Sequence, residues 1–352
     1  MPKIWIVTGV SGCGRIEMLN DLSRFAITKG KKVKVFDVGN VIQKKAEENH
    51  IAFVLDRILN MDQVTLSLLR ALAIQTINKD ISEDSESDVI FVGMHALFFW
   101  KERLIPGVSY SDLLSLNPNG IINVVDDVAS IQKTNMENPK WTHDNLTSPA
   151  SLQRWMMEEE LLSDIYATIK GVPMYVLAKN QNIENLYSFF FEGKKRIYLS
   201  FPITAIRENA NMLDKVLNDY KPRLEKLFFV FNPLDIKDKT HVTTRLDDVE
   251  GLLTDESIKL IDSRTVERDY RFIAQSDAVV VIYPTDKLSP GVFAEMRYAY
   301  SHQIPVLMLF LEKISPFLDE IAEIYQKEED FFEALTIFAQ SDTCLPRNNK
   351  TE

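Results

Sequence analysis

The sequence predicts an α/β protein of two domains, each with a mainly parallel sheet between two layers of helices. Three observations support this. Short apolar runs, such as residues 4–8 and 279–282, lack alternation and end at Gly, Tyr or Pro, which is typical of strands buried on both faces. Amphipathic helical segments separate these runs. The 352 residues are enough for two cores of ordinary size.

Composition excludes several classes of function. The net charge of −11, without a basic stripe interleaved with aromatic residues, argues against duplex nucleic acid or a membrane as partner. Cys13 and Cys344 are the two cysteines, which fit a reducing compartment and provide no metal-ligand cluster. Met1 leads directly into a strand, and no apolar run approaches a membrane span. We therefore expect a cytoplasmic protein without metal or other cofactor.

The first strand is followed by the frame of a phosphate-binding loop. Gly9, Gly12 and Gly14 stand where backbone N–H groups can cradle an anion. In an intact loop the next two residues are a Lys that reaches the phosphates and a Ser or Thr that binds Mg²⁺. Here they are Arg15, which can still pair with an anion, and Ile16, which cannot bind a metal. The loop thus predicts anion binding without metal-dependent phosphoryl transfer.

The rest of the first half alternates between strands and helices. Strands are predicted at residues 32–38, 89–92, 121–125 and 174–177, and helices at 62–78 and 151–170. In the longest helix, Trp155, Met156 and Leu161 are expected in the core and the acidic run 158–160 on a solvated face. His95, which follows a strand, is expected to make a structural hydrogen bond.

These motifs, in this order, resemble archaeal-type adenylate kinase over the first half of the chain. The resemblance rests on the loop from Gly9, on Gly93-Met-His95-Ala-Leu, on Leu104-Ile-Pro-Gly107 and on Leu116-Asn-Pro118. It implies a P-loop kinase-like fold. In that family a lid carries arginines that clamp the phosphates, but Pro139 and Trp141 stand in the corresponding stretch. Together with Ile16, this implies a domain without kinase activity, acting as a nucleotide sensor or a structural partner.

Glycine and basic residues from Glu192 to Arg196 predict the domain boundary, so the domains are residues 1–192 and 193–352. In the second domain, strands are predicted at 196–200, 227–231, 279–282 and 305–311, and helices at 208–227 and 266–276. A polar segment, 235–256, is expected to be a loop or lid. Residues 316–340 are predicted to be an acidic, amphipathic helical tail.

The stretch from Val266 to Ala299 is the one around which the chain is organised. A buried strand is followed by Ser289, Pro290 and Gly291, a helix start with a capping hydroxyl and a fixed φ. Gly291 permits a close backbone approach. Ligands of parallel α/β sheets bind outside the carboxyl ends of the strands, so this helix start and Glu295 are expected to face one ligand.

These residues resemble the nucleoside 2-deoxyribosyltransferase superfamily, and within it the 2′-deoxynucleoside 5′-monophosphate N-hydrolases. The residues are Asp269, Ser276-Asp277, Ser289-Pro-Gly-Val-Phe-Ala-Glu295 and Tyr198-Leu-Ser-Phe-Pro-Ile-Thr-Ala-Ile-Arg-Glu208. The resemblance implies a Rossmann-like domain, a subunit-interface active site and a dimer. It also implies Glu295 as nucleophile and Asp269 as the residue that handles protons. Asp277, at the start of a strand, is expected to be structural.

The resemblance further implies substrate contacts from Tyr198, Ser200, Arg207, Ser289 and Gly291. A hydroxyl at Ser289, in place of a carboxylate, favours a substrate with a 5′-phosphate. The hydrolases place Ser and Arg where this chain has Pro202 and Thr204, so Arg207 would have to compensate. The loop residues Gly9, Gly12, Gly14 and Arg15 are the corresponding candidates for nucleotide binding in the first domain.

Structural interpretations stand beside these roles. Glu295 can be a solvated helix residue, Asp269 a surface partner of Arg268 or Arg271, Ser289 only a helix cap and Tyr198 only a core residue. We expect a hydrolase acting on N-glycosyl bonds that releases, or less readily transfers, the base of a nucleoside 5′-monophosphate. One alternative is an effector that cleaves NAD or a signalling nucleotide. Another is a non-catalytic, nucleotide-binding regulator.

Overall fold

The computed structural model of the chain describes residues 2–53, 58–101, 103–138, 148–207, 209–236, 255–285, 287–311 and 316–341. The side chains of residues 207, 210 and 255–263 are outside this description. The described residues form two compact units, one from the start to Gln181 together with the described residues of 236–262, and one from Asn182 to Asp235 and from Ser263 onward. The lid stretch with Pro139 and Trp141 and most of the predicted loop 235–256 lie outside the described residues.

A five-stranded parallel sheet forms the centre of the first unit. The strands of this unit are β1 (Lys3–Thr8), β2 (Val33–Asp37), β3 (Val89–Gly93), β4 (Leu97–Trp100), β5 (Arg103–Pro106), β6 (Gly120–Val125) and β7 (Met174–Ala178). The order in the sheet is β2-β3-β1-β6-β7, while β4 and β5 form a separate antiparallel hairpin. β3 and β6 are buried along their whole length because helices cover both faces.

The helices of the first unit, apart from the first of them, which follows Gly14, begin at side chains that accept hydrogen bonds from free backbone N–H groups. They are α1 (Arg15–Thr28), α2 (Val38–Glu48), α3 (Gln63–Ser82), α4 (Tyr110–Ser115), α5 (Val128–Glu137) and α6 (Pro149–Lys170). Asp62 caps α3, Asp127 caps α5 and Ser148 caps α6, which also has Pro149 at its first position. The predicted helices and strands of this half are therefore confirmed to within a few residues.

Two expectations for α6 are wrong. Trp155 is fully buried, as predicted, but Leu161 is 56% exposed. Glu159, in the acidic run that we expected to be solvated, is 1% exposed. It shares the buried face of α6 with Trp155 and Ser163, four residues away on either side, whereas Leu161 points elsewhere on the helix. The spacing of four residues from Trp155 would have predicted the burial of Glu159, whereas the run of three charges suggested exposure.

The second unit is built on another five-stranded parallel sheet. Its strands are β8 (Arg196–Ser200), β9 (Phe229–Phe231), β10 (Ala278–Tyr283), β11 (Val306–Phe310) and β12 (Glu323–Tyr325). Their order is β12-β11-β10-β8-β9, so β8 lies between β9 and β10. At the start of β8, Arg196 forms an ion pair with Asp277 (2.8 Å) and donates its backbone N–H to the same carboxylate (2.7 Å). Asp277 thus has the structural role expected of it.

The helices of the second unit are α7 (Ile183–Tyr187), α8 (Ile203–Arg207), α9 (Ala210–Asp214), α10 (Lys221–Leu227), the part from Ser263 onward of α11 (Asp255–Ala274), α12 (Pro290–Ser301), α13 (Pro316–Ile321) and α14 (Glu328–Gln340). The predicted helix 208–227 is instead α9, a π-helical segment Lys215–Tyr220 and α10. Asn209 caps α9 through a bond to the N–H of Met212. α7 precedes the predicted boundary, yet Asn185 on it exchanges two hydrogen bonds with Val230 of β9.

The predicted helical tail is interrupted. β12 separates α13 from α14, because Glu323 to Tyr325 add a strand to the edge of the sheet beside β11. The apolar residues of α14 are buried in the core of the second unit, and these are Phe331, Phe332, Leu335 and Phe338. The apolar face of α14 therefore packs within its own chain and is not exposed to a second copy. Among the helices that the structure describes, none is long and apolar enough to cross a membrane.

Candidate functional site

The sheet order of the second unit places a crevice beside β8. The chain runs from β8 outward to β9 and then returns to the other side of β8 for β10, β11 and β12. In parallel α/β sheets the connections on the two sides of such a switch point cover opposite faces, and the ligand crevice is expected at the carboxyl ends of the strands there, which are β8 and β10. Ser200 ends β8, and α12 follows β10 after a short loop. Ligands of this fold class bind at such a crevice.

Glu295 is held at this crevice by two hydroxyl groups. It lies in the second turn of α12. Its Oε1 accepts a hydrogen bond from the Tyr198 hydroxyl (3.0 Å), and its Oε2 accepts one from Ser200 Oγ (2.5 Å). Tyr198 and Ser200 are fully buried on β8. Both carboxylate oxygens are therefore fixed from beneath by the sheet.

The surroundings oppose the negative charge of Glu295. The pKa of Glu295 is raised from an ordinary 4.5 to about 7: burial is the main cause and the charge of Asp269 acts in the same direction, while the bonds from Ser200 and Tyr198 act in the opposite direction. Burial, followed by the charges of Glu295 and Asp269, raises the pKa of Tyr198 well above its ordinary value. A carboxyl group with a pKa near neutrality in a crevice is typical of functional sites.

Asp269 approaches the site from α11, the helix before β10. The ring of Tyr270 stacks on that of Tyr298 of α12, with 4.3 Å between centroids and 7° between planes. This contact packs the two helices together beside the sheet. Arg268 Nη2 lies 3.4 Å from Asp269 Oδ1. Asp269 therefore has the arginine neighbour of its structural interpretation and also acts on Glu295 electrostatically.

The other predicted contacts lie around the start of α12 and on α8. Ser289 is the N-cap residue by position, but its side chain makes no capping hydrogen bond, so the capping role that we expected for its hydroxyl is wrong. Its backbone N–H instead donates to the Tyr283 hydroxyl (2.7 Å). A Cβ added at Gly291 would contact no protein atom, so the described protein itself does not require glycine there. The side chain of Arg207 lies outside the described residues.

The first unit keeps the geometry of a phosphate loop. Gly9, Gly12 and Gly14 have φ of 146°, 86° and 70°, which favour glycine. Arg15 Nη1 donates to the Gly9 carbonyl (3.0 Å). The side chain of Ile16 packs directly on β3, since a Cβ added at Gly93 would lie 2.3 Å from its Cδ1. The position of a metal-binding hydroxyl is thus apolar.

Beside this loop is a cavity of about 470 Å³ with cationic and aromatic walls. Arg15, Arg70, His95, Phe98 and Trp100 line it. Arg15 Nε, Arg70 Nη2 and His95 Nδ1 are buried and have no hydrogen-bond partner among the described residues. Burial lowers the pKa of Arg70 to about 10, and burial followed by the charge of Arg15 lowers that of His95. Unpaired buried donors of this kind suit an anionic ligand.

His95 is less well satisfied than we expected. Its Nε2 lies 3.5 Å from Ser11 Oγ, which is a long hydrogen bond, and its other nitrogen has no partner among the described residues. Its ring packs against Phe98, with 4.4 Å between centroids. His95 thus lines the cavity and also packs against Phe98.

Two functional candidates escaped the sequence prediction. Glu159 accepts three backbone N–H groups, from Gly9 (3.0 Å), Ala96 (2.8 Å) and Leu97 (2.8 Å). It therefore ties α6 to the phosphate loop and to the corner before β4. Arg70 was missed on α3, although apolar residues flank it on the same helical face at Leu66, Leu69, Ala73 and Ile74. A cation within an apolar stripe is the signal that could have identified it.

Within the described part of the chain, no three His, Cys, Asp or Glu side chains are arranged to hold a metal ion. The side chains that define the two candidate sites are carboxylates in one unit and guanidinium groups in the other.

No protein-family model matches the chain. Three similar solved structures are a shikimate kinase from Bacteroides thetaiotaomicron (TM-score 0.36, 11% identity, 54% of this chain and 97% of that chain), a sugar kinase from Janibacter sp. HTCC2649 (0.31, 12%, 55% and 95%) and a gluconokinase from Sinorhizobium meliloti 1021 (0.31, 12%, 60% and 97%). With TM-scores and identities this low, these likenesses assign the chain to no family. The observed sheet order and phosphate loop remain the basis for the fold.

Proposed function

We propose that the second unit cleaves the N-glycosidic bond of a nucleoside 5′-monophosphate. The observation that carries this proposal is the Glu295 carboxylate, which two buried hydroxyl groups hold at the switch-point crevice with Asp269 close by. Cleavage of such a bond passes through an oxocarbenium-like state, which a carboxylate near the anomeric carbon stabilises or captures. A second carboxyl group completes the pair that this chemistry needs.

The reaction requires two steps. Glu295 forms a bond to the anomeric carbon as the bond to the base breaks, and Asp269, in its protonated form, supplies the proton that the departing base takes up and becomes a carboxylate. Water, deprotonated by Asp269, then attacks the same carbon and frees Glu295. A second base in place of water would give transfer instead of hydrolysis. Because the site is partly buried, its dielectric constant is lower than that of water, and charges interact more strongly there.

The phosphate is assigned to the start of α12. The first backbone N–H groups of a helix favour an anion, and Pro290 leaves the next ones free to face it. The hydroxyl of Ser289, which does not cap the helix, can donate to a phosphate oxygen. The exposed Gly291 adds no side chain that would obstruct the ligand.

Incubation of the purified protein with a panel of nucleoside monophosphates, nucleosides and NAD tests the proposal. Free base and sugar phosphate are separated by chromatography. We expect base release from one or more monophosphates and little from the matching nucleosides. Ser289→Asp should weaken use of the monophosphates, because a second anion repels the phosphate, while nucleosides are spared. Release from NAD alone would favour the effector alternative, and no release from any compound would contradict the assignment.

For the first unit we propose nucleotide binding without phosphoryl transfer. The unpaired guanidinium atoms of Arg15 and Arg70 support a phosphate site, and the rings of Phe98 and Trp100 support contact with a base. Ile16 removes the hydroxyl that would hold a metal for transfer. The cavity volume of about 470 Å³ is within the range of small-molecule sites.

The fluorescence of Trp100 offers a direct test of this binding. Titration with AMP should change the emission, and Arg70→Met should weaken the apparent affinity by about tenfold or more, because a hydrogen-bonded charge is lost. Arg24→Met, which removes an exposed arginine of α1, is the matched control and should bind like the parent. Equal affinities in the parent and Arg70→Met would contradict the assignment of the cavity.

A further inference from the structure

The position of Ser200 on β8 directs its hydroxyl to Glu295 and leaves the side chain without an exposed surface for a substrate. It is the last residue of β8 and lies two residues after Tyr198, so the two side chains project from the same face of the strand. Both residues pair with β10, Tyr198 with Val279 and Ser200 with Val281. Ser200 is fully buried, and its hydroxyl lies 2.5 Å from Glu295 Oε2. A ligand in the crevice would therefore meet Glu295 and not Ser200.

We propose that Ser200 is a positioning residue, which holds the Glu295 carboxylate in one orientation and favours its anionic form. This inference rests on the proposed glycosidase function of the same site. A serine hydroxyl has one proton, which it donates here to the carboxylate. Tyr198 donates to the other oxygen, so the two bonds together prevent rotation of the carboxylate and leave the remaining lone pairs to the substrate.

The charged groups around Glu295 explain why a second donor is needed. Asp269 on α11 places a like charge nearby and, with burial, opposes ionisation. Tyr198 on β8 donates a hydrogen bond but has a pKa raised well above the ordinary value, so it stays neutral. Arg268, on α11, acts on Tyr198 as a nearby positive charge. Among the groups that lower the pKa of Glu295, Ser200 makes the largest contribution.

Ser200→Ala tests the proposal through the pH profile of base release. Loss of a hydrogen bond to a charged group should move the acid limb of kcat/KM upward by about one to two pH units. Near pH 6, kcat/KM should therefore fall by about 10- to 100-fold, and the difference from the parent should become small well above both midpoints. Ser200→Thr keeps the hydroxyl and should restore the parent profile.

Ser276→Ala is the matched control. Ser276 is also a buried serine of the second unit, but its hydroxyl donates to the Phe272 carbonyl (2.7 Å) and does not contact Glu295. It should leave the acid limb in place. A Ser200→Ala loss that is the same at every pH would indicate a packing defect, and an unmoved acid limb would show that Ser200 does not act on Glu295; either result overturns the proposal.

A second readout does not depend on turnover. The carboxyl ¹³C resonance of Glu295, assigned by its absence in Glu295→Gln, should titrate about one to two pH units higher in Ser200→Ala than in the parent. If the parent releases no base while this shift is observed, the glycosidase assignment fails and the role of Ser200 stands. If base is released but the midpoint does not move, the role of Ser200 fails alone.

Discussion

The fold raises the pKa of the Glu295 carboxyl group to near neutral pH. With a pKa of about 7, it is neutral in roughly half of the molecules at neutral pH. A positive charge developing on a bound sugar would lower this pKa and favour the anion. The site is therefore arranged so that the charge of the nucleophile is stabilised most strongly when the cationic transition state is present.

This balance predicts a dependence of stability on pH. Because the folded-state pKa of Glu295 is raised from 4.5 to about 7, its stabilising contribution is complete below about pH 4.5 and is lost as the pH rises through 7. Glu295→Gln does not titrate. Relative to the parent, it should gain about 2–3 kcal/mol in free energy of unfolding between pH 4.5 and 8. Urea unfolding at both pH values checks this, and an unchanged difference would argue against a raised pKa.

At the residue scale, the sequence predicted Glu295 more readily than its partners. A Ser-Pro-Gly helix start after an apolar strand indicates a ligand-facing helix wherever it occurs in a parallel α/β sheet. The bond between Ser200 and Glu295 could not be predicted in this way, because it depends on how α12 packs across the carboxyl end of β8. Such a distance follows from tertiary packing and has no local signature.

At the element scale, α6 is the element that organises the phosphate loop. Its buried carboxylate, Glu159, accepts hydrogen bonds from Gly9 of the loop, from Ala96 and from Leu97, the first residue of β4. Ser163, one turn later, bonds to Thr8 at the end of β1 (2.8 Å). The loop is therefore positioned by a distant helix as well as by its own glycines.

Glu159→Gln should destabilise the protein, because the amide nitrogen faces a backbone N–H and cannot accept its hydrogen bond. We expect a loss of about 1–3 kcal/mol in free energy of unfolding. Glu158→Gln, one residue earlier and partly exposed, is the control and should change stability by less than about 0.5 kcal/mol. Calorimetry of the two variants measures the difference, and equal transitions would show that the three bonds contribute little.

Elements were predictable where a pattern of one period continued without interruption. The buried strands and α3 follow such patterns, and their bounds agree closely with the predictions. The tail, residues 316–340, was predicted as one helix, because we extended the helical spacing of apolar residues around Phe331 and Phe338 back to residue 316. β12 was missed because its three residues are stabilised by pairing with β11, a long-range contact.

At the scale of the whole molecule, two α/β units combine a phosphate loop that lacks a metal-binding hydroxyl with a carboxylate pair in a separate sheet. The first half of the chain resembles adenylate kinase, but Ile16 cannot bind Mg²⁺. We therefore predict that the protein does not convert ATP and AMP to ADP. A coupled spectrophotometric assay with Mg²⁺ checks this. The variant with Arg15→Lys and Ile16→Ser is compared with the parent in the same assay. Turnover by the parent at the rate of a kinase would contradict the prediction.

Self-association also belongs to this scale and stays a prediction. The resemblance to the deoxyribosyltransferases implies a dimer, but α14 cannot supply its surface, because its four apolar residues lie in the core of the second unit. Light scattering at micromolar concentration measures the state directly. We expect a mass of twice 40.5 kDa, and a mass of one chain would contradict the expectation.

The most direct test of the central claim compares base release by the parent, Glu295→Gln and Glu333→Gln on the monophosphate that the parent prefers. Glu333, an exposed residue of α14 outside the site, is the matched control. Glu295→Gln should keep the fold and bind the nucleotide, yet lose base release by several orders of magnitude, since the amide offers no anion to the oxocarbenium centre. Glu333→Gln should match the parent. If Glu295→Gln releases base as fast as the parent, Glu295 is not the nucleophile, and the non-catalytic regulator becomes the better account of this protein.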